Sequence, residues 1–109
     1  MDLPPLVMRT IQRLIRAFAP ERIVFFGSYA KGMSHPYSDL DLLVVTDLSN
    51  DLGFHQRRAR QLAADSFPPV DVVFATPNDV SAAATARSPF LLSILERGIV
   101  VYRRPSDGN

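Results

Sequence analysis

Three groups of residues carry the chemistry that this sequence suggests. Gly27 and Ser28 end an apolar run, and ten residues, Tyr29 to Ser38, separate them from Asp39, Leu40 and Asp41. A further aspartate, Asp71, lies within the apolar run from Val70 to Ala75. On a strand, residues two apart project to one face, so Asp39 and Asp41 are expected to point together while Leu40 and Leu42 enter the core. Neighbouring carboxylates repel, and a divalent cation between them relieves the repulsion. Oxygen-only ligation favours magnesium or manganese over zinc. Gly27 lets a phosphate approach the backbone, and Ser28 offers a hydroxyl and an N–H at the start of a helix. A phosphate-binding turn facing a metal-binding carboxylate pair is what a nucleoside triphosphate with its magnesium requires. Asp71, flanked by valines, needs a partner for its charge. It can complete the metal site and take the proton from an attacking hydroxyl, with two metals stabilising attacking and leaving oxygens.

The stretch Gly27 to Ser34, GSYAKGMS, also comes within one residue of the pattern G-x-x-x-x-G-K-[ST]. Met33 occupies the lysine position and cannot reach a phosphate as an ammonium would, so the P-loop reading is rejected.

The elements that must position these residues alternate between helical and extended patterns. Leu6 to Phe18 places Val7, Ile11, Leu14, Ile15 and Phe18 on one stripe with Arg9, Arg13 and Arg16 opposite, which predicts an amphipathic helix ending near Pro20. Strands are expected over Arg22–Phe26, Asp39–Val45, Val70–Ala75 and Ile99–Tyr102. A short helix is expected from Ser28, a second long one over Phe54–Phe67, and two more over Pro77–Ala84, with Thr76 as cap, and Ser88–Arg97, ended by Gly98. This order predicts an α/β (α+β) fold: a small mixed β-sheet with helices packed against it, in one domain over 1–109 with its core at about 22–102 and a tail at 103–109.

Composition bounds the remaining possibilities. The chain has 109 residues, 47% of them hydrophobic and 21% charged, in the range of a globular domain. A net charge of +1 gives no overall pull toward nucleic acid or an anionic membrane, and direct nucleic-acid binding is not expected. The absence of cysteine excludes disulfides and thiolate metal sites. The start, Met1 to Pro5, lacks the pattern of a signal peptide, and no apolar run is long enough to span a bilayer, so a cytoplasmic location is expected.

The combination G-S-x10-D-x-D followed by a lone strand aspartate resembles the signature of the DNA polymerase β-type nucleotidyltransferase superfamily. The wording GSYAKG, SDLDLLV and FLLSILERGIVVY is most similar to its minimal nucleotidyltransferases, the MNT type, and the resemblance covers Ile23 to Tyr102. It implies a polymerase β-like palm in which Asp39, Asp41 and Asp71 hold two Mg2+ ions and do the chemistry, Asp71 as the base. Gly27 and Ser28, with Lys31 where the family often has arginine, and Ser38 would bind the nucleotide. The implied reaction moves AMP from ATP to a hydroxyl. The implied partner is a HEPN-type toxin, a helical RNase, whose tyrosine receives the AMP, so that this chain acts as antitoxin in a hetero-oligomer. Larger relatives carry a helical acceptor-binding domain, and here the acceptor surface must come from elsewhere. Two alternatives stand beside this reading: a binding module that neutralises a partner by occlusion, and the catalytic half of an aminoglycoside-type small-molecule nucleotidyltransferase.

Other residues have plainer readings. The basic run His55 to Gln61 reads as a solvated helix face, with an acidic partner or RNA as the alternative. His35 and His55 read as surface residues, and Tyr29, Tyr37 and Tyr102 as packing. Leu91, Leu92, Ile94 and Leu95 cover more than one stripe, enough to serve both core and interface.

Overall fold

The computed structural model describes residues 3–27, 40–48, 52–86 and 88–105. The chain runs α1 (Pro5–Phe18), β1 (Arg22–Phe26), β2 (Leu40–Val45), α2 (Leu52–Leu62), β3 (Val70–Ala75), α3 (Pro77–Ala86), α4 (Pro89–Arg97) and β4 (Ile99–Arg103). The four strands form one mixed sheet in the order β3-β2-β1-β4. β1 pairs antiparallel with β2 and β4, and β2 pairs parallel with β3. The parallel pair is possible because α2 carries the chain back over the sheet between β2 and β3.

Strand alternation sorts the apolar residues into two layers. Leu40, Leu42 and Val44 of β2 and Ile23 and Phe25 of β1 are buried with Val7, Ile11 and Leu14 of α1 and Ala59 of α2. Leu43 and Val45 face the other way, with Val24, Ala75 and Ile94 of α4. The sheet is thus sandwiched between α1 with α2 and α3 with α4. Each fully buried Leu, Ile or Phe contributes about 1.5–3 kcal/mol, so β2, buried on both faces from Leu42 to Val45, anchors the fold.

Local chemistry sets the helix ends. α1 begins with proline in its first turn and stops where Ala19 adopts φ 44°, its N–H donating to the Ile15 carbonyl, just before Pro20. Thr76 and Asp79 cap α3 reciprocally: the Asp79 N–H donates to Thr76 Oγ1 at 3.0 Å and the Thr76 N–H to Asp79 Oδ2 at 2.9 Å. Two sequence expectations are corrected, for α2 and His55, and one is refined, for Gly98. α2 ends at Leu62 rather than Phe67, because Pro68 and Pro69 require an extended approach and Asp65 is drawn to Arg9 and Arg13 of α1, 2.7 Å from each. Gly98 ends α4 as expected, with φ −75°, so what the glycine supplies there is close approach rather than a left-handed turn. A Cβ there would stand 2.5 Å from both the Ile94 carbonyl oxygen and Val24 Cγ1. His55 is not a free surface residue: its ring packs edge-on to Phe18 and tilted against Phe74, which buries Nδ1. The helix expected from Ser28 lies outside the described residues.

Candidate active site

The site is built across the edges of three neighbouring strands. Gly27 follows β1 directly, Asp41 is the second residue of β2, and Asp71 is the second residue of β3. Phe26 is registered opposite Asp41 in the antiparallel pair, and Asp41 is registered on Asp71 in the parallel pair. Residues in register on adjacent strands share a face. That face is the one carrying Leu43, Val45, Val73 and Ala75, because Leu40, Leu42, Val70 and Val72 are committed to the α1–α2 layer. The expectation that Leu40 and Leu42 go inward while the acid goes outward therefore holds for Asp41.

Gly27 adopts φ +89°, a conformation that side chains rarely take. A Cβ at Gly27 would press against Asp41 Oδ2 and lie 3.3 Å from Asp41 Cγ. The glycine thus leaves the space that the carboxylate fills and keeps backbone within reach of whatever the carboxylate binds. Asp41 is partly buried and Asp71 is exposed. At the strand spacing of about 4.8 Å, two carboxylates repel by roughly 1–3 kcal/mol at effective dielectrics between bulk water and a protein surface. A hard divalent cation between them turns that repulsion into attraction, and their all-oxygen chemistry fits magnesium or manganese. Among the described residues no three His, Cys, Asp or Glu are gathered as a metal centre. Asp39, Ser28, Lys31 and Ser38 lie outside the described residues.

Two recesses lie near these residues, one on each face of the sheet. On the β1 side, a cavity runs from Gly27 to α4 and is lined by Phe26, Phe90, Ser93, Arg97 and Gly98. The Phe26 and Phe90 rings meet edge to face at 6.0 Å, and Phe90 remains 60% exposed. The second recess lies between β3 and α2, where Val70, Asp71 and Val72 border it with Gln56, Ala59 and Arg60; it opens on the α1–α2 side of the sheet, opposite the face that Asp41 and Asp71 share. Sequence reasoning missed Ser93 and Arg97. The signal was their i, i+4 spacing beside Gly98, which puts both on one side of α4 next to the glycine that lets the helix approach β1.

Comparison with known proteins decides what this frame belongs to. The family model for the nucleotidyltransferase domain matches residues 7–101. The chain belongs to the nucleotidyltransferase domain family. Membership implies a nucleoside triphosphate and a divalent metal in general terms. No curated protein matches this nucleotidyltransferase. Among solved structures, a toxin-antitoxin with AMP-PNP superposes with a TM-score of 0.58 and 28% identity, over 90% of this chain and 74% of that one. A protein from Sulfolobus solfataricus described as a nucleotidyltransferase superposes at 0.60 with 18% identity, over 91% and 78%. The BolA domain of SufE1 from Arabidopsis thaliana superposes at 0.53 with 19% identity, over 72% of this chain and 100% of its own. The last two likenesses are of fold alone, and the third shows that such a layout also occurs under another name. Among the described residues no helix is long and apolar enough to cross a membrane.

Proposed function

We propose that this chain, as a single nucleotidyltransferase domain, transfers AMP from magnesium-bound ATP to a hydroxyl of a partner protein. The observation that carries the reading is the alignment of Gly27, Asp41 and Asp71 at the neighbouring ends of three adjacent strands, with a recess beside Gly27. Asp41, with Asp39 and Asp71, would hold the metal ions, whose contribution when bound is to neutralise charge on the phosphates and on the attacking and leaving oxygens. Gly27 and Ser28, with Lys31 and Ser38, would seat the triphosphate, and Arg97 and Ser93 offer further donors in the adjoining cavity. The acceptor oxygen bonds to the α-phosphorus as the bond to the bridging oxygen breaks. Pyrophosphate leaves with that electron pair, and Asp71 takes the hydroxyl proton.

The likeness to a toxin-antitoxin with AMP-PNP supports a partner protein and an antitoxin role for this chain; the resemblance to minimal nucleotidyltransferases makes that partner a HEPN-type toxin that offers a tyrosine. The test is incubation with magnesium and ATP labelled at the α-phosphate in a lysate of the source cells. A labelled protein band is expected with the wild type. Asp71→Asn should weaken labelling by about 10²–10⁴-fold, the range of general-base catalysis, and Asp41→Asn should abolish it, with both variants folded. Label on a small molecule would transfer the reading to an aminoglycoside-type acceptor. Protection of the partner by both variants without any labelling would replace chemistry with occlusion.

A further inference from the structure

Two positions along β2 and β3 from Asp41 and Asp71 stand Leu43 and Val73, registered on each other as the two acids are. Strand alternation gives all four one face of the sheet. Leu43 and Val73 belong to the layer that packs with Ile94 of α4, not to the α1–α2 layer. They floor a recess of about 290 Å³, walled by Ala82 of α3 and by Phe90 and Leu91 of α4. One pleat repeat, about 6.6 Å, separates that floor from the carboxylates. The volume is close to the lower end of small-molecule sites, about 300 Å³, and the mainly apolar lining is typical of them. Phe90 lines both this recess and the smaller cavity at Gly27. Its ring is 60% exposed, and its edge-on contact with Phe26 at 6.0 Å orients it. A flat apolar ligand would cover that ring and gain the burial that the free protein forgoes.

The next step rests on the nucleotidyl-transfer reading above. There the phosphates lie along Gly27 and the metals at Asp41, so the α-phosphorus stands at the row of carboxylates, and only a ribose separates it from the base. The base must then settle within a ribose's length of that row and on the same face. The cavity at Gly27 is bordered by Ser93 and Arg97, whose donors suit phosphate oxygens. The recess beyond Phe90 has the apolar walls that suit the faces of a base. We infer that the recess over Leu43 and Val73 is the nucleobase seat, with Phe90 as its stacking platform, and that it favours a purine over a pyrimidine. Two fused rings cover more of the phenyl face, and fill more of the recess, than one ring does.

The test uses the full chain and titration calorimetry in magnesium with three ligands: inorganic tripolyphosphate and the α,β-methylene analogues of ATP and CTP, which cannot be cleaved at the bond that breaks in transfer. The ATP analogue should bind about tenfold tighter than tripolyphosphate, a factor that base–aromatic stacking supplies, with the CTP analogue between them. Phe90→Ala should weaken the ATP analogue about tenfold and leave tripolyphosphate unchanged, while Phe90→Trp should keep the gap. Ala82→Phe, made at an exposed position on α3, should block the recess and close the gap as Phe90→Ala does. Phe54→Ala removes a comparably exposed ring from α2 and should alter none of the affinities. Equal affinity of the wild type for the ATP analogue and tripolyphosphate, or a gap that survives Phe90→Ala or Ala82→Phe, overturns the inference and leaves nucleotidyl transfer standing; a recess that serves the acceptor instead would give that result. A CTP analogue that binds as tightly as the ATP analogue overturns the purine preference. Failure of the wild type to bind any of the three ligands overturns the inference together with the reading beneath it.

Discussion

Replacing Gly27 by alanine should damage transfer far more than it damages folding. Alanine at φ +89° costs about 1–2 kcal/mol, and the restricted unfolded chain returns about 0.4–1 kcal/mol of that. The added methyl would also meet Asp41 Oδ2, which is the mobile end of a side chain rather than backbone. The carboxylate can therefore swing aside, at about 0.5–1.5 kcal/mol for an off-rotamer side chain. The net loss of roughly 1–2 kcal/mol should lower Tm by about 4–12 °C for a domain of this size. Typical domains are stable by about 5–15 kcal/mol, so the variant remains folded at room temperature. The carboxylate is nevertheless displaced by about an ångström from its place beside the metal, and misplacement on that scale costs about a hundredfold in rate. Thermal denaturation followed by circular dichroism gives the first quantity, and initial rates of α-phosphate label transfer below the transition give the second. Transfer within about twofold of wild type, alongside the expected fall in Tm, would show that Gly27 serves only its own backbone and does not set the position of Asp41.

Three further outcomes test the frame around the site. Gly98→Ala should be the opposite case, because its methyl would meet the Ile94 carbonyl and Val24 at 2.5 Å with no mobile end to yield; a loss of about 1–3 kcal/mol in urea denaturation is expected. Asp79→Ala removes one half of the reciprocal cap of α3 and should cost about 1 kcal/mol, less when combined with Thr76→Ala than the two single losses summed. The Asp65 carboxyl is held below its ordinary value of 3.8, first by its hydrogen bond from Arg13 and then by the charges of Arg13 and Arg9. A depressed carboxyl contributes stability above its unfolded-state value and loses it as the pH falls through the folded-state value. The Tm gap between wild type and Asp65→Asn should therefore be small but constant near neutrality and close below about pH 3.8, which thermal scans across that range would measure.

The strands flanking the site were legible because their apolar runs are bounded by strong breakers. Arg22–Phe26 stops at Gly27 and Val70–Ala75 is fenced by Pro69 and Pro77, and both appear with those bounds. The pairing of Asp39 and Asp41 was read from strand period alone, and the period holds for Asp41 because Leu40 and Leu42 are wholly committed to the α1–α2 core. Other features depended on contacts distant in sequence. α2 ended early because Asp65 is drawn to two arginines of α1, more than fifty positions away. His55 is half-buried against Phe18 and Phe74, on two other elements.

The parallel register of β2 on β3 has a consequence for how this chain can vary by insertion and deletion. The connections between these strands can change length with little penalty, because closing a longer loop costs only about 0.6 kcal/mol per doubling. Within β3 the tolerance disappears. A single residue gained or lost ahead of Asp71 would set a valine opposite Asp41 and turn the acid into the layer of Ile11, Leu14 and Ala59. Length changes in this region should therefore survive only when they leave odd and even positions of β3 unexchanged, a parity rule that the aspartate enforces on its own strand.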